Sequence, residues 1–592
     1  MHILNIVKKL LIYMVWALLD GFILASAAAL IFAAKNESNI FFIQSAPEIN
    51  IPLLIILTIV LSGMFFALFF FSCKVLRWIT PLCIAAFAVG INLTAVSFSR
   101  PYFSLVMSGI AVAAVLMIKG IFPEAELKLL KGKRLYILVL ALTVIMMAIT
   151  AFTAIARHLC YSSSTFDLGI FAQMYEYMSY NLTLNTTLER NVLLSHFAVH
   201  FSPIYYLLLP FYLLFPSVEF LLTAQAAVCF SGIIPLLLLC RRWRYSETVT
   251  LGISLIFLLF PAFSGGLFYD FHENAFLVPL LLWLLYFLEK DHAIGIAVCA
   301  LLTLCVKEDA GLYVVFVGLY ALLDKKYSRI NSVMLLVIGI SGFIGVTSLV
   351  NSVGEGIKVS RYSNFLTAGQ DSLTDVVKNV IKNPAFFFSR LLNEDKLLFL
   401  VQMLLPLMLL PMKTRKLSNL LLVAPLVLVN LASDYAYQAD IHYQYVFGTG
   451  VLLVFLCAKN IRYCKEKTRT AAAAAIAGAI ILTGSMSGKY DYIGRLSDNQ
   501  SDIALTDQSL AQIPEDAVVF STTYFTPHLA RCRELYMYPA IYETDSGIVP
   551  DYVVLDSRSG LLKEYDELYA YWLSEGYEVV GYEGYATVLR SR

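Results

Sequence analysis

Long apolar segments separated by short polar ones run from the start of the chain to about residue 486. Many of them approach twenty residues, a length that crosses a hydrocarbon core of about 30 Å as a helix. The pattern therefore predicts an all-α polytopic membrane bundle with about fifteen transmembrane helices, at residues 10–34, 51–73, 80–97, 103–119, 135–156, 219–240, 248–264, 274–289, 293–306, 311–323, 331–350, 398–411, 417–433, 443–458 and 470–486.

The last part of the chain has a different pattern, in which charged residues and Gly or Pro turn signals return between short apolar runs. Such runs are typical of strands in a water-exposed domain. We predict a small α/β domain with strands near Ala517–Ser521, Glu534–Tyr538 and Tyr552–Leu555, a helix at 560–574 and a terminal strand pair at 577–590.

Basic residues should gather in the cytoplasmic loops of a membrane protein. With a cytoplasmic N-terminus, all the basic clusters lie inside, provided that the apolar run 203–216 does not cross the membrane. We therefore interpret this run as an interfacial or re-entrant helix packed on protein.

This topology divides the chain into three parts. We expect an added transmembrane module at 1–130, a transmembrane core at 131–486 with outer loops at 157–218 and 351–397, and an extracytoplasmic domain at 487–592.

Composition agrees with a multi-pass protein of the cell membrane and with lipids as partners. Hydrophobic residues make up 59% of the 592 residues and charged residues 14%, which excludes a soluble protein. The net charge is +1 and no basic stripe carries interleaved aromatic residues, so we expect no nucleic-acid partner. The oligomeric state is not indicated.

Asp167 is the first candidate for chemistry, because it follows the polar run 162–165 and lies in an apolar phrase. A carboxylate at the outer membrane face is suited to act as a general base. The alternative is a helix N-cap, or a carboxylate in the first helical turn that the helix dipole favours.

His196 and His200 have the spacing that puts both imidazoles on one helix face. They are suited to a metal pair or to hydrogen bonds with a substrate, and alternatively to a membrane interface.

Two further clusters interrupt apolar segments at the predicted outer face, where charges are costly. Asp270, His272 and Glu273 form either a functional cluster or a helix cap with a salt bridge to Arg157. The second cluster comprises Lys307, Glu308 and Asp309; its lysine would pair with a neighbouring carboxylate or with the phosphate of a lipid-linked donor.

The loop at 434–445 is rich in tyrosine and includes His442 and Tyr443. Such a surface can stack on sugar rings and bind their hydroxyls. It could equally be an aromatic belt at the membrane interface.

Six phrases occur in the same order as in the polytopic membrane family called domain of unknown function 2079, which the chain resembles over about 135–590. They are FDLGIFAQ (166–173), HFSP (200–203), FHENAF (271–276), VKEDAGLY (306–313), IHYQYV (441–446) and IPEDAVVFSTTYFTPHLARCRELYMYP (513–539). Asn274 departs from the family, which usually has proline there. Gln173 closes the first phrase and joins the candidate substrate-binding residues.

That family is similar in layout to the GT-C glycosyltransferases, which take sugars from polyprenyl-phosphate donors on the outer face. The resemblance implies that Asp167 is the base and that Lys307 meets the donor phosphate. It also matches His200 and Pro203 loosely to a histidine–proline phrase. Asp167 is followed by Leu168, so the chain lacks the Asp-Glu pair of many GT-C enzymes.

The resulting hypothesis is a GT-C-like glycosyltransferase that moves a sugar from a polyprenyl-phosphate donor to an acceptor on the outer face. It requires no cofactor, although a divalent metal could take part. The catalytic residue would be Asp167, and the substrate-binding residues would be Arg157, Gln173, His196, His200, Asp270, His272, Glu273, Lys307, Glu308, Asp309, His442 and Tyr443, with Arg361 as a further phosphate ligand.

Two other classes remain open at this point. One is a transporter or flippase of lipid-linked or small polar molecules, which needs polar groups at mid-membrane and a path open to both sides. The other is a non-catalytic subunit of envelope assembly, which predicts no enclosed pocket joining Asp167 to Lys307.

Overall fold

The computed structural model describes residues 2–34, 50–71, 76–95, 108–109, 111–112, 132–354, 359–414, 416–539 and 547–592. In these ranges the chain is mainly helical. The helices are α1 His2–Ala34, α2 Ile51–Phe71, α3 Leu76–Ala95, α4 Lys133–Leu159, α5 Ile170–Asn181, α6 Leu209–Tyr212, α7 Val218–Ser231, α8 Ile233–Arg242, α9 Glu247–Leu258, α10 Pro261–Leu267, α11 Leu277–Lys290, α12 Ala293–Leu304, α13 Ala310–Leu323, α14 Arg329–Val353, α15 Leu373–Lys382, α16 Pro384–Arg390, α17 Glu394–Leu404, α18 Phe447–Asn460, α19 Lys467–Asp498, α20 Gln500–Leu510 and α21 Tyr565–Ser574.

Eight helical segments of the described chain are long and apolar enough to cross a membrane. They are Ile6–Ala29, Ile51–Phe71, Lys133–Leu159, Val218–Arg242, Glu247–Leu267, Arg329–Val353, Gln444–Tyr463 and Lys467–Met486. Shorter apolar helices lie at Ala293–Leu304, Ala310–Leu323 and Leu417–Leu431. The multi-pass helical bundle is thus confirmed, but the count of fifteen spans is not; the predicted span 103–119 lies mainly outside the described residues.

Two of the eight segments contain a local backbone break, and one further predicted span is not a continuous α-helix. The apolar run 219–240 is divided at Gly232 into α7 and α8, and the run 248–264 is divided before Pro261 into α9 and α10. Proline at the first helical position lacks an N–H to donate, so a new helix readily starts there. The predicted span 417–433 is not one α-helix; it contains a 3-10 helix at Leu417–Leu422 and a π-helix at Leu426–Leu431.

The run 203–216 contains no helix long enough to span the membrane. It forms a tight helical turn at Pro203–Leu207 and the single turn α6. Its Tyr205 and Leu209 are buried, whereas Phe211 and Leu214 are exposed. This arrangement fits the predicted helix at an interface, because one side packs on protein and the other remains apolar and open.

The C-terminal region forms a five-stranded sheet, which confirms the small α/β unit. Its strands lie in the order β4-β3-β5-β7-β6, with β3 parallel to β4 and β5, and with β7 antiparallel to its neighbours. The strand bounds are β3 Val518–Ser521, β4 Glu534–Met537, β5 Tyr552–Asp556, β6 Tyr577–Glu583 and β7 Ala586–Ser591, while β1 Asn185–Thr186 and β2 Leu194–Ser195 form a separate pair.

Helix α19 connects the bundle to this sheet. It runs past the predicted end of the last span at residue 486 and continues to Asp498 without a break. Helix α20, which the sequence pattern did not predict, follows at once, and α21 begins at Tyr565 rather than at 560. The sheet is therefore carried on a helix that extends out of the bundle.

Candidate active site

The turn at Thr165–Gly169 connects α4 to α5 and carries Asp167. The backbone of Asp167 has φ 71° and ψ −80°, the strained conformation of a classic γ-turn. Helix α5 begins at Ile170 after Gly169, without a side-chain cap. Asp167 is therefore not an N-cap; it is an acidic residue in the first turn of Thr165–Gly169, and its carboxylate lines a cavity.

His272 lies between two carboxylates. Its Nε2 atom is 3.3 Å from Oδ2 of Asp167, and its Nδ1 atom is 3.6 Å from Oε2 of Glu273. The His272 side chain is buried, whereas 26% of the Asp167 side chain remains exposed toward the cavity. The imidazole is thus held on the protein side of the carboxylate and leaves the cavity side open.

Glu273 connects this pair to Lys307. Its Oε1 atom accepts a hydrogen bond of 2.7 Å from Nζ of Lys307, and its other oxygen accepts one from the Tyr205 hydroxyl. Glu273 and Lys307 are both buried. The partner of Lys307 is therefore neither Glu308 nor Asp309, the neighbours expected from the sequence.

The charges of these four residues, Asp167, His272, Glu273 and Lys307, stabilise one another. Burial alone would raise the pKa of the Asp167 carboxyl, but His272, Tyr269 and Lys307 outweigh it and lower that pKa. Burial lowers the pKa of the His272 imidazole, but Asp167 and Glu273 raise it to about 9. At neutral pH the site therefore holds an ionised Asp167 next to a protonated His272.

A second layer supports the turn that carries His272. Nη1 of Arg157 lies 2.9 Å from Oδ1 of Asp270, as the salt-bridge alternative expected. The Gln225 side chain donates to the backbone oxygen of Asp270 at 3.0 Å and accepts from the backbone nitrogen of His272. Arg157 and Asp270 therefore hold the backbone in place behind the site.

His196 and His200 lie side by side, with ring centroids 5.6 Å apart, but each imidazole is paired with a glutamate of its own. Nδ1 of His196 lies 2.9 Å from Glu189, and Nδ1 of His200 lies 2.9 Å from Glu308. Among the described residues, no group of three or more His, Cys, Asp or Glu side chains is arranged to hold a metal ion.

A polar cavity of about 400 Å³ brings Asp167, His272 and Lys307 together. Its other lining residues are mostly aromatic or charged: Ser164, Phe166, Ile170, Phe171, Glu189, Arg190, His196, Val199, His200, Tyr269, Arg361, Tyr435, Tyr437, Tyr443, Gln444 and Tyr445. The cavity contradicts the assembly-subunit alternative, which predicted no pocket between Asp167 and Lys307.

An apolar cavity of about 570 Å³ adjoins the polar one. The two share Val199, His200 and Arg361 as lining residues. Beyond these it is lined by Glu308, Asp309, Leu312, Phe343, Tyr362, Phe365, Leu373, Val376, Val377, Val380, Ile381, Phe387, Leu428, Val429, Ala432 and Gln438. The predicted outer loop 351–397 thus supplies much of an apolar chamber.

Five of the predicted substrate-binding residues line neither cavity: Arg157, Gln173, Asp270, Glu273 and His442. Gln173 bonds to Thr186, Thr187 and the backbone around Cys532, and His442 is 2.7 Å from Asp440. Arg157, Gln173, Asp270 and Glu273 are buried in protein, whereas 31% of the His442 side chain is exposed outside the two cavities.

The sequence interpretation missed Tyr205, Gln225 and Tyr269. Tyr205 lies in the apolar run 203–216, where nothing distinguishes it from its neighbours. Gln225 could have been singled out from the sequence, because a polar amide within a predicted membrane span is costly unless it has a partner.

A model for the family described as "Predicted membrane protein (DUF2079)" matches residues 157–578. The chain belongs to this family. The DUF2079 region includes every candidate site residue and strands β3, β4 and β5 of the C-terminal sheet, whereas the first 156 residues and strand β7 lie outside it. The family resemblance expected from the six sequence phrases is thereby confirmed, and no curated protein matches the chain.

Two solved structures are similar to this DUF2079 protein. They are the crystal structures of ArnT from Cupriavidus metallidurans bound to undecaprenyl phosphate, with a TM-score of 0.46, and in the apo state, with a TM-score of 0.44. Each is 12% identical and covers 77% of this chain and 97% of ArnT.

Proposed function

We propose that this protein is a GT-C-like glycosyltransferase that takes a sugar from a polyprenyl-phosphate donor at the outer face of the cytoplasmic membrane. The observation that carries the proposal is the pair of adjoining cavities, one polar and lined by the Asp167 carboxylate, the other apolar. A lipid-linked sugar has the same two halves. We expect the isoprenoid chain in the apolar cavity and the sugar in the polar one.

Arg361 and His200 lie where the two cavities adjoin, the place where the phosphate of such a donor would lie. The guanidinium of Arg361 is 5.2 and 5.1 Å from the ring centroids of Tyr435 and Tyr445. Lys307, by contrast, is already paired with Glu273. We therefore propose Arg361 as the main phosphate ligand, with Lys307 adding positive charge from the adjoining wall.

Asp167 would act as the general base. The acceptor hydroxyl gives its proton to the Asp167 carboxylate, and its oxygen forms a bond to the anomeric carbon. The bond from that carbon to the phosphate oxygen breaks at the same time, and its electron pair leaves on polyprenyl phosphate. This single displacement inverts the anomeric configuration.

The protonated His272 would hold Asp167 in position. The His272 side chain is buried, whereas part of the Asp167 carboxylate remains exposed in the cavity and can meet an acceptor. The rings of Tyr269, Tyr437 and Tyr443 line the same cavity and offer faces on which a sugar can stack.

The test uses the full chain in lipid nanodiscs with a panel of synthetic polyprenyl-phosphate hexoses and pentoses and an envelope extract as acceptor source. Mass spectrometry measures the polyprenyl phosphate released. We expect at least one donor to be consumed by the wild type and not by Asp167→Asn. Equal consumption by both variants, or none of any donor, would contradict the proposal.

A further inference from the structure

The strained backbone of Asp167 needs an external support. A non-glycine residue with φ 71° and ψ −80° persists only where its surroundings hold it. Within the turn, the Ser164 hydroxyl donates to the Phe166 oxygen at 3.0 Å and the Gly169 nitrogen donates to the Ser164 oxygen at 3.2 Å. These local bonds flank Asp167, His272 pairs with its carboxylate, and further support comes from the C-terminal region.

Two threonines that follow strand β3 contact Thr165, at the start of the turn. The Thr165 nitrogen donates to the Thr523 hydroxyl at 3.0 Å, and the Thr165 hydroxyl donates to the Thr523 backbone oxygen at 3.3 Å. The Thr526 hydroxyl donates to the Thr165 hydroxyl at 3.0 Å. Thr165 and Thr526 are fully buried, so water does not compete for these bonds.

The other end of the turn meets the same threonine. A methyl group added to Gly169 would lie 2.7 Å from the Thr526 hydroxyl oxygen, which is closer than van der Waals contact allows. Thr526 therefore touches both residues that bound the turn, with Asp167 between them. Only glycine fits at position 169 while this contact is kept.

More distant bonds fix the same region of the C-terminal sheet to the 173–191 segment. The Gln173 amide donates to the Cys532 and Arg533 backbone oxygens at 3.2 and 3.3 Å. The Asn191 side chain exchanges two bonds of 2.9 Å with the backbone of Met537, in strand β4. The sheet is thus bound along the whole segment that begins with the turn.

From these contacts we infer that the C-terminal sheet region is part of the active site, and that Thr523 and Thr526 are positioning residues that hold Asp167 against His272. The inference rests on the proposed function, because the position of Asp167 affects catalysis only if Asp167 is the base. Neither threonine lines the cavities, so their effect passes through the turn. A loss of the contact should let Asp167 leave its strained conformation and its ion pair at 3.3 Å.

The test compares Thr526→Val, which keeps the shape and removes the hydroxyl, with Thr526→Ser, which keeps the hydroxyl. Thr587→Val is the matched control, because Thr587 is fully buried and bonds to Tyr565 within the sheet, at 2.6 Å. Amide hydrogen exchange of the 164–172 peptide is measured in the full chain. We expect exchange to rise in Thr526→Val and to stay at the wild-type level in Thr526→Ser and Thr587→Val.

Sugar transfer is measured on the same variants. Since a small misplacement of a catalytic group can cost up to about 100-fold in rate, we expect kcat of Thr526→Val to fall by about 10- to 100-fold. Binding of a synthetic polyprenyl phosphate should not change. The acid limb of the rate profile should move to higher pH, because Asp167 loses the imidazolium that lowers its pKa.

Unchanged exchange in Thr526→Val would overturn the inference whatever the protein catalyses. Faster exchange with normal transfer would overturn the positioning role. If the wild type consumes no donor, the proposed function fails, and this outcome is recognised because the exchange result does not depend on transfer. Normal transfer by Asp167→Asn would instead remove Asp167 as the base.

Discussion

The Nε2 atom of His272 lies 3.3 Å from the carboxylate of Asp167. Asp167 precedes α5 and His272 precedes α11, so several helices separate the two residues along the chain. This ion pair is buried on the histidine side and open to a polar cavity on the aspartate side. A carboxylate supported in this way stays ionised and available to a substrate.

Asp167→Asn should reduce sugar transfer by about 10²–10⁴-fold, because the amide keeps the size of the side chain but cannot accept the proton. Binding of a synthetic polyprenyl phosphate should be nearly unchanged. The measurement is donor turnover together with lipid binding in nanodiscs. Asp491→Asn is the control, since Asp491 lies on the exposed side of α19, paired with Arg495. Full turnover in Asp167→Asn would remove Asp167 from the reaction.

His272→Gln should change the pH dependence of transfer. A base works only when unprotonated, so activity is lost as the pH falls through the pKa of Asp167. His272 keeps that pKa below its ordinary value; without its charge, burial raises it and the acid limb moves to higher pH.

The measurement for His272→Gln is kcat against pH. The control is His292→Asn, since His292 caps α12 and asparagine caps well. Identical acid limbs in wild type and His272→Gln would show that the imidazolium does not act on Asp167.

Glu273→Gln should destabilise the protein by about 3–5 kcal/mol, because it leaves the buried charge of Lys307 without its partner. The double variant Glu273→Gln/Lys307→Met should lose less than Glu273→Gln alone, since both charges are gone. The free energy of unfolding is measured in mixed micelles. Asp491→Asn should cost at most about 1 kcal/mol, as an exposed pair does. Additive losses in the double variant would contradict the coupling.

The sequence predicted which polar groups meet better than it predicted what each one does. Asp167, His272 and Lys307 could be grouped because each interrupts an apolar segment, where a charge is costly. Their convergence on one cavity follows from that cost. The partner of Lys307 could not be predicted, because Glu273 is brought to it by helix packing rather than by spacing along the chain.

Gln173 shows the opposite limit. Its place in a recognisable phrase suggested substrate contact, but it bonds the C-terminal region instead. Strands β3, β4 and β5 were predicted within a residue or two from short apolar runs between turn signals. The docking of that sheet on the turn at Thr165–Gly169 could not be predicted, since the hydrogen bonds involve common threonines far apart in sequence.

Cysteines introduced at residues 244 and 560 should be labelled by an impermeant reagent from opposite sides of the membrane. The reason is that residue 244 ends a basic cluster expected inside, whereas residue 560 belongs to the C-terminal region expected outside. Labelling of unsealed membranes is the control for reactivity. Labelling of both from the same side would contradict the proposed topology and the outer location of the site.

Arg361→Gln should weaken binding of a synthetic long-chain polyprenyl phosphate by about 10- to 100-fold, because hydrogen bonds to charged groups contribute about 1.5–3 kcal/mol. Lys307→Ala should weaken it less, since Lys307 is already paired with Glu273. Arg495→Gln is the matched control, as Arg495 is exposed and paired with Asp491.

Ligands with prenyl chains of different length distinguish binding in the apolar cavity from binding of the phosphate. A short-chain prenyl phosphate lacks the contacts with the apolar cavity, so it should bind more weakly than the long-chain lipid in the wild type, and inorganic phosphate more weakly still. Phe387→Ala, which shortens a side chain of the apolar lining, should reduce the advantage of the long chain and leave the affinity for the short one nearly unchanged. If Arg361→Gln binds the long-chain lipid as well as the wild type does, the phosphate does not lie where the two cavities adjoin, and the donor must be placed elsewhere.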